Sequence, residues 1–265
     1  MFSTFYVIIY NYHLKELFLT NLKNATLFVL LTFSFIIVAV WLSVLSHEYA
    51  HSTVAWLCGF KQNPFDIYYG HFNWQNVIFV TGIDENVNYE QIKLAGRLDV
   101  VGLVGFAGPA VTLLFYLITL LLLPLKQIKK HPLLYYFVFW INLLNLAELT
   151  SYIILRSIGS SGDIYHVEIG WNISPWLIFI IGGSIIVYCL WYLFSYQLDR
   201  LYSTLKLTSN WPKAFILTLA AFQIFGHSGF RMLLYPYGTV SLILGIVFIM
   251  LVPLVIYIKW PARIT

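Results

Sequence analysis

An all-α membrane protein of about six transmembrane helices is the fold class that the sequence predicts, and three observations predict it. Of 265 residues, 60 % are hydrophobic and 10 % charged, with a mean hydropathy of +0.80; a soluble domain has roughly a quarter of its residues charged. The apolar residues gather into six runs, and a helix needs about 20 residues to cross the hydrocarbon core. The longest polar connection between runs is residues 59–97. The net charge of +4 is spread over the loops without a basic block, so the expected partner is the lipid bilayer and not nucleic acid. Cys58 and Cys189 fall far apart at helical positions and suggest neither a disulfide framework nor a Cys-rich metal site.

In chain order, residues 1–23 are rich in Tyr and Phe and lack a small-residue cleavage pattern. They read as an interfacial stretch along the bilayer, not a signal peptide. The first run, Asn24 to Leu57, is too long for one upright crossing and too short for two with a turn. It predicts one long tilted helix, with room for a break near Ser43 or Ser46. In the following connection, Asp66–Tyr69 and Val77–Thr81 read as short strands separated by Gly70, His71 and Asn73 and closed by Gly82. A small β-hairpin there would offer an edge for an extended peptide or simply cap the bundle. The remaining runs are Leu98–Leu125, Leu133–Leu155, Ser174–Tyr196, Lys213–Leu234 and Tyr237–Ile258. No repeat or low-complexity linker divides the chain, so 1–265 reads as a single domain. Ten of the 15 Lys and Arg residues fall on the side of the termini. That bias places the termini in the cytoplasm and the end of the first helix nearer the opposite face.

That end carries His47-Glu48-Tyr49-Ala50-His51, an HExxH motif in an almost uncharged run. Residues four apart share a helix face, so His47 and His51 can grip one ion, with Glu48 placed to take a proton from water. Ionisable side chains in lipid are costly unless something binds them. A catalytic site of this kind takes a third protein ligand. A histidine six residues after His51 would be the metzincin solution, but Leu57 stands there. Two carboxylates remain open: Glu148, inside the third run and on one face with Asn145, and Asp163, just beyond it. Gly102, Gly105 and Gly108 form a small-residue stripe ending at Pro109, which predicts close packing of the second run against the HExxH helix.

Together with Phe106-Ala107-Gly108-Pro109-Ala110 and the downstream Asn142, Asn145 and Asp163, the motif resembles the site-2 protease family of intramembrane zinc metalloproteases. The resemblance covers residues 24–170 as a catalytic core and leaves 174–258 as additional helices without specific features. It implies Zn²⁺ held by His47, His51 and Asp163, water activated by Glu48, and Asn145 or Asn142 orienting substrate or oxyanion. The substrate would be a membrane protein or peptide. The chain departs from the family in lacking a Pro after either asparagine and in carrying Ile164 after Asp163. The separation from Asn145 to Asp163 is also longer, which keeps Glu148, His166 and His227 open as third ligands. A Glu148 ligand would resemble the CAAX-processing and heat-shock membrane proteases, although Tyr152 stands where their helix has Asp. A non-hydrolytic reading, as a degenerate relative or a metal-binding or transport protein, is the alternative; it has no need of Glu48.

Overall fold

The computed structural model describes residues 25–73, 76, 77, 80 and 82–261, so the interfacial reading of residues 1–23 lies outside the described residues. The architecture is helical throughout. The elements are α1 (Ala25–Leu57), α2 (Tyr89–Leu94), α3 (Leu98–Leu122), α4 (Pro132–Arg156), α5 (Asp163–Trp171), α6 (Pro175–Thr204), α7 (residues 210–234) and α8 (Thr239–Ile258). Five of them, α1, α3, α4, α6 and α8, are long and apolar enough to cross a membrane.

The sixth expected crossing forms as α7 but is not among those five. Its sequence carries Gln223, His227 and Arg231 at four-residue spacing, which places three polar groups on one face and dilutes its apolar character.

α1 runs without a break. Its 33 residues extend about 50 Å, against a hydrocarbon core of about 30 Å. The serines expected to interrupt it keep the helix intact: Ser46 Oγ donates to the Leu42 and Ser43 carbonyls at 2.8 and 3.0 Å, and Ser43 Oγ accepts from Asn145 Nδ2 at 3.0 Å.

α4 is the central helix, packed against α1, α3, α6 and α7. Of its most apolar stretch 78 % is buried, against 17–50 % for the other four long helices, which therefore wrap it. Tyr136, Phe139, Trp140, Leu143 and Leu146 supply its fully buried side chains. The outward faces of α1, α6 and α8 leave Leu30, Leu42, Ile181, Val187, Ile243 and Met250 exposed, as suits helices whose solvent is lipid.

The glycine stripe of α3 serves two neighbours. Gly108 faces α1, as the spacing predicts. Gly102 and Gly105 instead receive the short helix α5: a Cβ at Gly102 would lie 2.8 Å from the Trp171 ring, and one at Gly105 2.6 Å from His166 Cβ. Without side chains at these turns, α5 can lie directly on the α3 backbone.

The expected hairpin does not form among the described residues. One antiparallel bridge joins Tyr68 to Asp84, and Ile78, Phe79 and Thr81 of the second expected strand lie outside the described residues. An asparagine accounts for the difference. Asn76 Nδ2 donates to the carbonyls of Tyr69 and His71, and its Oδ1 accepts from Gly82 N–H. One side-chain amide thus occupies backbone groups that a strand ladder would use.

Candidate metal centre

Three helices converge on one point. α1 presents His47 and His51 one turn apart. Gly162, at φ 92°, turns the chain so that Asp163 opens α5 beside them; a side chain at that φ would be strained. His47 Nε2 lies 3.0 Å from Asp163 Oδ2 and 3.0 Å from His51 Nε2, and His51 Nε2 lies 3.4 Å from Asp163 Oδ2. Among the described residues these three form the one group of His, Cys, Asp or Glu donors close enough to share an ion. Donors about 2.05 Å from a tetrahedral zinc are separated by about 3.3 Å, so the triangle fits such an ion. Both histidines are buried, and Asp163 keeps only 17 % of its side chain exposed.

The other ring nitrogens are tied back. His51 Nδ1 lies 2.6 Å from the Val104 carbonyl. That oxygen only accepts, so Nδ1 carries the hydrogen and Nε2 presents its lone pair. Thr112 Oγ1 donates to the Gly108 carbonyl at 3.1 Å and accepts from His47 Nδ1 at 2.9 Å, which sets the same tautomer on His47. Two lone pairs 3.0 Å apart repel unless a cation lies between them, and such oriented imidazoles are the usual support of a metal site. Gly108 is the condition for this geometry, because a Cβ there would collide with the Nε2 atoms of both histidines.

A cavity of about 620 Å³ opens from His47 and Glu48. Glu48 has His51 and Asp163 as electrostatic neighbours, and Glu85 of the 59–97 connection faces it. The cavity's far wall is α7, which contributes Gln223, His227 and Arg231. The late helices, expected to carry nothing specific, therefore form part of the site's surroundings.

The other candidates fall elsewhere. Asn142 is fully buried and donates to the Tyr116 carbonyl and Thr119 Oγ1 at 3.0 and 2.9 Å, while its Oδ1 accepts from Gln197 at 3.3 Å. Its amide joins α3, α4 and α6, and it is not brought to the donor triangle. Asn145 joins Ser43, one turn before His47, to α4. Glu148 and His227 line the cavity but are not among the three donors. His166 stacks on Tyr89 at 3.8 Å, and its Nδ1 has no hydrogen-bond partner.

The sequence pattern gave no role to Thr112 or the Val104 carbonyl and marked Tyr152 only as standing where another protease type has Asp. The Tyr152 ring stacks on His47 at 5.0 Å and 8°, with its hydroxyl 3.0 Å from His47 Nε2. The local signals were weak ones: Thr112 lies one helical turn after Gly108, and Tyr152 one turn after Glu148. Comparison of the chain with protein-family models, curated proteins and solved structures found no match, so the candidate centre rests on its own geometry.

Proposed function

We propose that this chain is a multi-pass intramembrane zinc metallopeptidase that hydrolyses peptide bonds in membrane proteins or membrane-associated peptides. The observation that carries the reading is the convergence of His47 Nε2, His51 Nε2 and Asp163 Oδ2 at 3.0–3.4 Å. When bound, the ion would be held by these three residues and would supply Lewis-acid polarisation and a more acidic water.

Glu48 takes the proton of the attacking water and returns it to the leaving nitrogen. The water oxygen bonds to the carbonyl carbon and the C–N bond breaks, leaving a carboxylate and an amine. Thr112 and the Val104 carbonyl hold the imidazoles in the tautomer that faces the donors. The cavity beside Glu48 takes substrate backbone in an unwound form, because helical peptide groups are already hydrogen-bonded to one another. The polar stripe of α7 gives that backbone and its water a route through an apolar bundle.

We count α7 as the sixth crossing, since its polar face lines the cavity. Both termini then lie in the cytoplasm by the Lys and Arg bias, and the site lies nearer the opposite face.

The test uses the full chain purified in detergent, with zinc measured by mass spectrometry and cleavage followed on a leucine-rich transmembrane peptide carrying a fluorophore. Zinc is expected in the wild type and in Glu48→Gln, and not in His47→Ala. Cleavage is expected in the wild type alone. A Glu48→Gln protein that cleaves at the wild-type rate would sink the mechanism.

A further inference from the structure

We infer that Tyr152 is a catalytic hydrogen-bond donor to the substrate's scissile carbonyl oxygen as it becomes tetrahedral. The inference rests on the metallopeptidase reading and adds to it a residue that neither the motif nor its spacing assigns.

His47 Nδ1 gives its hydrogen to Thr112, so Nε2 holds a lone pair, and the Tyr152 hydroxyl 3.0 Å away is the donor in that contact. The hydroxyl thus lies beside one corner of the triangle formed by the three donor atoms. With His47 Nε2 given to a bound ion, the hydroxyl would be without that acceptor. Tyr152 is only 7 % exposed, and a buried donor left without a partner is costly. Tyr152 also lines the cavity that opens from His47 and Glu48. A carbonyl oxygen entering from that side arrives within reach of the hydroxyl.

The ring has little freedom to turn away. It stacks on His47 at 5.0 Å and 8°, and the Arg156 guanidinium sits 4.4 Å over the Tyr152 ring. Arg156 lies 5.2 Å from the Tyr237 ring as well, is 4 % exposed, and its Nε and Nη2 have no hydrogen-bond partner. It holds the phenol mainly through its charge over the ring face. Tyr152 and Arg156 both lie in the widened helical turn Ser151–Arg156 that ends α4, and such turns recur at functional sites. Three other neutral donors are committed elsewhere: Asn142 to Tyr116 and Thr119, Asn145 to Ser43 and Ile141, Thr112 to Gly108. A donor fixed before the charge develops is the arrangement that stabilises an oxyanion most, and losing one such donor typically costs about 100- to 1,000-fold in kcat.

The experiment compares wild type with Tyr152→Phe in the cobalt-substituted full chain, in detergent. Visible absorption follows titration with two probes, a phosphinic tripeptide mimicking the tetrahedral carbon and azide, which offers no such oxygen. Tyr152→Phe is expected to bind cobalt and azide as the wild type does, to bind the phosphinate at least 10-fold more weakly, and to cleave the transmembrane reporter about 100-fold more slowly. Equal phosphinate binding in the two proteins overturns the inference and leaves the metallopeptidase reading standing. Loss of cobalt or azide binding in Tyr152→Phe also overturns it, because the hydroxyl would then serve Asp163 or the ion itself. A wild-type protein that takes no cobalt overturns both readings.

Discussion

Gly108→Ala tests the whole centre with one methyl group. A Cβ at this position points at the Nε2 atoms of His47 and His51 and would lie about an ångström inside ordinary contact with each. The backbone of α3 has little room to retreat, because Gly102 and Gly105 on the same helix already lie against α5. The imidazoles must therefore move, and metal–ligand bonds tolerate only about 0.2 Å. Displacing a donor by several times that amount should cost at least the upper end of what a disturbed supporting group costs, about 100-fold in metal affinity, or about 2.7 kcal/mol. The same substitution favours the helix itself by about 1 kcal/mol, so the metal-free fold should not suffer from propensity. The assay is zinc competition against a chromophoric chelator in detergent, paired with thermal unfolding of the metal-free protein. Gly183→Ala is the control, since a Cβ there meets nothing within 4 Å. Wild-type zinc affinity in Gly108→Ala would show that the contact between α3 and the two histidines is not part of the metal-binding form.

Thr112→Val leaves His47 Nδ1 without its acceptor. Zinc affinity should fall about 10- to 100-fold with the fold retained, as read by the same competition assay. Asn142→Ala removes the bonds that tie α4 to α3 and loosens Gln197 of α6. It should lower thermal stability by about 1–3 kcal/mol while zinc content stays unchanged; full stability with abolished cleavage would instead give Asn142 a role at the site. Glu168, on α5, is buried with Oε1 lacking a partner, and burial pushes its carboxyl up to about 7 from an ordinary value of 4.5. Because the folded protein holds this proton more tightly than the unfolded chain does, stability should fall as pH rises from about 4.5 to about 7 and level off above. Glu168→Gln should flatten that slope in thermal unfolding across the pH range.

Local chemistry alone determines a good deal of this protein. The long apolar helices are legible because a crossing needs only composition and length. His47 and His51 are legible as a pair because four residues always make one turn, whatever the rest of the chain does. Gly108 next to Pro109 announces a close approach for the same kind of reason. Other features depend on where distant turns meet. Asp163 joins the histidines only because Gly102 and Gly105 let α5 lie on α3 and Gly162 turns the chain at its start. Asn142 and Asn145 share the local pattern of a catalytic amide, yet their amide N–H groups are taken up by Tyr116 and Thr119 and by Ser43 and Ile141. Asn76 likewise folds back into a loop that, judged by its two strand-like runs between Gly and Asn, reads as a hairpin. The stripe Gln223, His227 and Arg231 weakens α7 as a plain crossing, and tertiary packing turns it into a cavity wall. Spacing along one helix is a covalent property and can be read from the chain, whereas the partners of a buried polar group are set by other helices. Two of the three candidate donors, His47 and His51, belong to the first kind. The third, with the groups that aim all three, belongs to the second.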